Sequence, residues 1–420
     1  MLYKDYLNSR RQYQEQGRDL LLSAKHACLF FEPGKGKTYP AIEAMREVDR
    51  QKNNKAQVLI ISTCDAIRKM WEPEIVPQKI LPKNTYLVTN RTAIGDLSEM
   101  LLDKHWDIIL VDESHIVKAH NSKIHKLIYK LCRNVEYAWG LTGTPRGNSD
   151  IDIWCQLQAL HIGGQGKMSY SAWTRLYCDF EVGYGAFGRY QIPTGIKEKY
   201  IAWWNNLLDE YCLFVNYDDD DDMPDLDISV VEVPYKKTQL YEQAFKGIIE
   251  VGEFATTTTK MVAISKAHQA CNGYIYLPDK TVHREHENGK LSILNNLPDR
   301  VVIVYKYIAD YQDLCKYFGS RATDDIHKFK AGIYKVLLLQ CSSCGSFNLQ
   351  EYCNTIIFYT MDYSFIKYKQ MIHRCWRMGQ KIPVKIIILE HKDTVEKQIW
   401  KAVSGKQKIH DLYMSIKRGV

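Results

Sequence analysis

Short runs of Val, Ile and Leu, each bounded by polar turn residues, alternate along the first third of the chain with longer amphipathic stretches. The runs fall at residues 27–31, 58–62, 85–89, 107–111 and 137–141. Continuous apolar runs of this length, separated by helical windows such as 39–48, predict buried parallel strands joined by helices. The rhythm stops near Pro145. Gly- and Trp-rich stretches follow, with helical windows at 237–249 and 259–270, so residues 151–290 read as a mainly helical connector. Strand-like runs return at 301–305, 336–340, 355–359 and 384–389. These predict a second, smaller α/β lobe. Beyond it Val395, Ile399, Val403 and Ile409 are spaced for one helix face, with Asp393 placed to cap it. The expected division is 1–150, 151–290, 291–392 and 393–420.

Composition narrows this picture without deciding it. A chain of 420 residues, 45% of them hydrophobic, is long enough for two cores. A formal charge of +7 permits a phosphate backbone as partner but does not demand one. Twelve cysteines with no secretory segment ahead of them suit a reducing, intracellular setting. Cys341 and Cys344 form the lone C-x-x-C pair, and no second pair or histidine follows at zinc spacing, so a turn is expected there. The apolar runs are far shorter than the roughly 18 residues a membrane span needs, and a soluble protein is expected. The five aspartates Asp218 to Asp222 read as a solvated, self-repelling loop. Trp154, Trp173, Trp203 and Trp204 read as core rather than as base-stacking platforms.

The candidate chemistry sits at strand ends. Gly34-Lys35-Gly36-Lys37-Thr38 follows the 27–31 run and precedes a helical window. Strand, glycine loop and helix are the context of a phosphate loop. Its backbone N–H groups and helix N-terminus attract phosphate, Lys37 would reach the β- and γ-phosphates of ATP, and Thr38 would ligate Mg²⁺. Phe31 stands where the strict pattern has its first glycine. The 107–111 run ends in Asp112-Glu113-Ser114-His115, two carboxylates at the carboxyl end of a parallel strand. Asp112 would hold Mg²⁺, and Glu113 would orient and deprotonate the attacking water. Leu141-Thr142-Gly143-Thr144-Pro145 follows the next strand, with hydroxyls placed to pass a change to a neighbouring loop.

Together these motifs resemble the superfamily 2 helicases, and within them the compact viral or mobile-element forms of the Swi/Snf-type ATPases, over nearly the whole chain. The resemblance implies two tandem RecA-like lobes. It makes Gly34 to Thr38 motif I, Asp112 to His115 motif II, and Leu141 to Pro145 motif III, with His115, Thr142 and Thr144 as coupling residues. Gln14 resembles the glutamine element that recognises adenine. Gln370-Met-Ile-His-Arg374-Cys-Trp-Arg377-Met-Gly379-Gln380 is similar to motif VI, whose two arginines, read as sharing one helix face, act on the γ-phosphate as arginine fingers; Gln370 and Gly379 complete that nucleotide contact. The 344–350 segment looks like motif V but has Ser346 and Phe347 in place of Gly and Leu. Thr63, Trp71, Thr89 and Asn348 take the positions that contact the sugar-phosphate backbone.

The expectation is therefore an ATP- and Mg²⁺-dependent motor on nucleic acid, sequence-independent and salt-sensitive, acting as a monomer. The resemblance leans towards duplex or branched DNA. The rival readings are a P-loop phosphotransferase on a small molecule, which leaves the second lobe without a purpose, and a non-catalytic ATP-dependent clamp.

Overall fold

The computed structural model describes all residues except 1, 2, 96, 147, 148, 186, 187, 217–222, 252, 253, 258, 259, 343–346, 378 and 406–420. The chain divides into two compact units, the first Met1–Asp221 with the short segment Gly345–Phe347 and the second Asp222–Cys344 with Asn348–Val420.

In the first unit, strands β1 (His26–Phe31), β2 (Gln57–Ser62), β3 (Asn84–Thr89), β4 (Ile108–Asp112) and β5 (Tyr137–Leu141) form one parallel sheet. All five sit within a residue or so of the expected runs. A hairpin of β6 (Cys178–Gly185) and β7 (Gly188–Ile196) follows, and then β8 (Cys212–Val215), which pairs parallel with β1. The sheet order is β3-β2-β4-β5-β1-β8. Ile108, Ile109, Leu110 and Val111 are fully buried, as strands covered by helices on both faces require.

The second unit opens with β9 (Leu226–Val233). Short pairs β10 (Ile248–Val251) with β11 (Phe254–Thr257) and β12 (Tyr274–Tyr276) with β13 (Val282–Arg284) follow. Its main sheet contains β14 (Val301–Tyr305), β15 (Ala322–Thr323), β16 (Val336–Gln340), β17 (Thr355–Phe358) and β18 (Val384–His391). The order is β15-β16-β14-β17-β18-β9, again parallel throughout.

The 151–290 stretch therefore does more than connect. It lends β8 to one sheet and β9 to the other, so each unit closes its sheet edge with a strand from the presumed connector. Neither strand stood out in the sequence: Leu226–Val233 alternates burial along its length rather than forming an apolar run. The helices of the stretch fall at Asp150–Ala159, Tyr170–Tyr177, Ile201–Tyr211, Gln239–Lys246 and Lys260–Cys271. Trp154, Trp173 and Trp204 are buried in the first unit's core, Trp154 stacked on Trp173 at 4.5 Å, with Trp203 partly buried against them. The aspartate run and the Cys344 half of the C-x-x-C pair lie outside the described residues.

The terminal helix spans 395–405 among the described residues, with Val395, Ile399 and Val403 buried; Ile409 lies outside them. Its cap differs from the expectation. Asp393 adopts φ 58°, a left-handed conformation that cannot cap, and Thr394 accepts from the Glu396 N–H at 3.3 Å instead. No helix among the described residues is long and apolar enough to cross a membrane.

Candidate active site

The sheet order brings four strand ends of the first unit to one edge. The phosphate loop leaves β1 and enters the helix Thr38–Gln51. Gly34 and Gly36 have φ 92° and 72°, which only glycine adopts without cost. A Cβ on Gly36 would also lie 2.6 Å from the Gln14 amide. Gln14 is buried; its Nε2 donates to the Lys35 carbonyl at 3.0 Å and its Oε1 accepts from the Arg11 N–H at 3.0 Å. Both ends of the amide expected to read adenine are thus engaged, one of them bracing the phosphate loop. Lys35 is fully buried, its Nζ 5.8 Å from the Tyr13 ring centroid, whereas Lys37 and Thr38 are half-buried.

Two strands away from β1, β4 ends in Asp112. Its carboxylate is 2% exposed, and Oδ2 accepts from Ser62 Oγ at 2.9 Å and from Trp71 Nε1 at 2.8 Å. Burial, with Glu113 beside it, pushes the Asp112 carboxyl up; Lys37 and the two hydrogen bonds oppose that shift. Glu113 has φ 56° and ψ 51°, a strained conformation for a non-glycine residue and a common mark of functional positions. Its Oε2 lies 3.4 Å from Thr142 Oγ1 and 3.2 Å from His115 Nδ1, and His115 Nδ1 is 2.9 Å from the same hydroxyl. Thr142 also accepts from the Thr144 N–H at 3.2 Å, and its own N–H donates to Leu29 at 3.1 Å. The motif II and motif III segments therefore share one hydrogen-bonded triangle next to the phosphate-loop strand.

Two residues of this arrangement were missed by sequence reasoning. Gln156, fully buried in the helix Asp150–Ala159, accepts from Ser114 Oγ at 2.8 Å and donates to the Pro145 carbonyl at 2.7 Å, tying the same two segments from behind. Ser62 was placed in a strand but given no role; its position beside the Asp-bearing strand, with Ile61 opposite Val111, was the available signal.

Several expected roles change. Trp71, expected to touch a nucleic-acid backbone, is fully buried with its N–H on Asp112, so its indole cannot contact an external strand. The expectation rested on motif resemblance alone, which says nothing of the π-helical stretch Ile67–Ile75 that carries the buried indole. Thr63 and Thr89 stand just past β2 and at the end of β3, and their hydroxyls cap the short helices Cys64–Ala66 and Asn90–Ala93.

In the second unit, the helix Phe365–Ile372 carries Gln370 in its last turn and ends before the arginines. Arg374 and Arg377 lie in the turns that follow, not on a helix face. His373 terminates the helix: it is buried, stacks on Trp376 at 5.1 Å and places Nδ1 3.1 Å from the Trp376 carbonyl. Burial, reinforced by Lys369 and the two arginines, holds its pKa well below the usual histidine range, so the ring is neutral. Arg377 Nη1 donates to Asn348 Oδ1, so the residue expected to contact nucleic acid also orients an arginine of the adjoining segment. The Arg374 carbonyl accepts from the Leu349 N–H at 2.9 Å, a second tie between the two segments. Gly379 has φ 89°, and Gln380 donates to the Cys353 carbonyl at 3.0 Å. Ser346, with Cys344, lies outside the described residues.

A phosphate loop at the carboxyl edge of a parallel sheet, an acidic pair two strands away and a second parallel α/β unit define a two-lobe P-loop protein of the helicase type. Comparison with known proteins agrees. The SNF2-related domain family matches residues 77–213, a span that holds Asp112 to His115 and Leu141 to Pro145. A protein of Acyrthosiphon pisum secondary endosymbiont phage 1 is 24% identical, with 96% of this chain and 97% of that protein aligned. The ISWI chromatin-remodeling complex ATPase ISW2 of Saccharomyces cerevisiae is 22% identical over 96% of this chain and 40% of its own length. The DNA annealing helicase and endonuclease ZRANB3 of Bos taurus is 24% identical over 42% of this chain and 18% of its own length. This chain thus spans under half of the two eukaryotic relatives but nearly all of the phage protein. It is similar, over part or nearly all of its length, to SNF2-related proteins, the group its motifs resemble.

Proposed function

We propose that this chain is an ATP-driven motor that moves along DNA. The observation that carries the reading is the Glu113–Thr142–His115 triangle beside the phosphate loop. A water-orienting carboxylate hydrogen-bonded to the segment after the neighbouring strand links hydrolysis to movement of that segment. A small-molecule phosphotransferase has no use for such a link, nor for a second α/β unit.

In the proposed cycle Lys37 and the loop N–H groups hold the ATP phosphates, and Glu113 orients the attacking water and takes its proton. Arg374 and Arg377 supply the positive charge that stabilises the γ-phosphoryl group, Arg377 being aimed by Asn348. Thr38 and Asp112 form a hard-oxygen donor set suited to Mg²⁺, and the buried, hydrogen-bonded Asp112 carboxylate fits a divalent cation. When bound, Mg²⁺ supplies charge neutralisation across the phosphates.

Duplex or branched DNA, bound without regard to sequence by a monomer, is the proposed track; kinship with ZRANB3 and ISW2 supports DNA over RNA. The test is the ATP hydrolysis rate with no nucleic acid and with single-stranded, duplex and forked DNA and RNA. Stimulation by duplex or forked DNA that fades with rising salt is expected. Turnover indifferent to every nucleic acid would favour the phosphotransferase.

A further inference from the structure

Asp112 Oδ2 accepts two hydrogen bonds, from Ser62 Oγ at 2.9 Å and from Trp71 Nε1 at 2.8 Å. A carboxylate plane rotates freely about its last torsion unless something holds it. Two donors converging on one oxygen remove that freedom and occupy one side of the carboxylate, which leaves Oδ1 as the oxygen for another partner. Both donors come from different elements than Asp112 itself. Ser62 ends β2, the direct neighbour of β4, and Trp71 lies in the π-helical stretch Ile67–Ile75. Single-turn π-helical insertions are rare and concentrate at functional sites; here a whole stretch of that winding carries the indole. Trp71 and Ser62 are both fully buried, so neither is available to a substrate or a nucleic acid.

We infer that Trp71 and Ser62 are positioning residues that lock the Asp112 carboxylate in the orientation in which it receives the Mg²⁺ of the bound nucleotide. The inference rests on the ATP-site reading above and gives the fully buried indole a purpose that core packing alone does not. Partners that orient a metal ligand typically contribute 10- to 100-fold to metal affinity.

The experiment measures binding of a mant-labelled, non-hydrolysable ATP analogue as a function of Mg²⁺ and, separately, in EDTA. Mn²⁺ binding in the presence of the unlabelled analogue is followed by electron paramagnetic resonance. Trp71→Phe keeps most of the ring volume and removes the N–H; Ser62→Ala removes the hydroxyl; Ser62→Thr restores it. The half-saturating Mg²⁺ concentration is expected to rise about tenfold in Trp71→Phe and Ser62→Ala. Affinity in EDTA stays within about twofold, and Ser62→Thr returns towards wild type. A merely structural role would instead weaken binding equally with and without metal, and that outcome overturns the inference, as does an unchanged Mg²⁺ midpoint in variants that melt cooperatively. If Trp71→Phe does not fold, Ser62→Ala alone must show the metal-specific shift for the inference to stand. A wild-type chain that fails to bind the analogue at any Mg²⁺ concentration sinks the ATP-site reading itself, a result distinct from the failure of the positioning role.

Discussion

Replacing Lys290 by Met tests how the second unit is held together. Lys290 has no exposed surface; its ammonium donates to the Tyr359 carbonyl at 2.9 Å and pairs with the Glu396 carboxylate. Glu396 also accepts from the His391 N–H at 2.7 Å and lies 3.1 Å from His391 Nδ1 and 3.3 Å from His268 Nε2. Cys271, His391 and Glu396 come within ligating reach of one another, but the cation on Glu396 is the lysine ammonium, which makes this an ion-pair network. Burial alone would raise the Glu396 pKa; Lys290, with the two histidines, outweighs it and holds the carboxyl well below its usual range. Lys290→Met leaves that charge buried with only histidine donors. Removing one partner of a buried pair costs about 3–5 kcal/mol, whereas replacing both by apolar groups is often neutral. A domain stability of roughly 5–15 kcal/mol makes that loss conspicuous. Because two units need not unfold together, the measurement is hydrogen exchange in urea on peptides covering residues 290–305 and 384–400. The single variant should lose about 3 kcal/mol of protection there, and Lys290→Met with Glu396→Leu should recover part of it. A loss below about 1 kcal/mol, or a double variant weaker than the single one, would refute the reasoning about the buried charge.

Three further outcomes are expected. Glu113→Gln should lower kcat at least about 100-fold while ATP-analogue affinity stays within about threefold; unchanged turnover would remove Glu113 from its role. Gly143→Ala should destabilise the first unit by about 1–3 kcal/mol and weaken nucleotide binding, because the added Cβ would stand 2.6 Å from Pro33 Cδ and 2.9 Å from Pro33 N, at the root of the phosphate loop; wild-type urea midpoints and affinity would show that the loop has room to yield. Burial, only partly opposed by Glu396, lowers the His268 pKa to about 4. The unfolded ring titrates near 6.5, so the stability it contributes is complete above that pH and is lost as pH falls towards 4, roughly 3 kcal/mol in all. His268→Gln should therefore flatten the pH dependence of the second unit's urea midpoint between pH 6.5 and 4, and parallel profiles would count against the neutral ring.

Much of this molecule was legible before any coordinate. Nine strands of the two main sheets were visible as apolar runs, because most of them are parallel strands covered on both faces and so apolar along their length. The chemistry at their carboxyl ends was readable too: a glycine loop, an Asp-Glu pair and a Thr-Gly-Thr-Pro turn are local signals that survive without knowledge of the fold. The edge strands β8 and β9 were not visible, since an edge strand needs only one good neighbour and can be short or alternate in polarity. Sequence spacing also assumed regular helices. It put Arg374 and Arg377 on a helix face that ends at Ile372, while the motif resemblance that placed Trp71 on a nucleic-acid backbone carried no information on the π-helical stretch in which it is buried.

What the sequence determined by itself is the inventory of parts: two α/β units, a phosphate loop with Lys37 and Thr38, an acidic pair, and a distal arginine segment. The last three of these each rest on residues within about ten positions of one another. What the tertiary structure alone decided is which of those parts hold one another in place. Ser62 and Trp71 meet Asp112, Gln14 meets the phosphate loop, and Gln156 spans Ser114 and Pro145 only because sheet order and helix winding bring distant residues within hydrogen-bond reach. Hydrogen bonds of about 3 Å depend on position in space, and no periodicity along the chain encodes that.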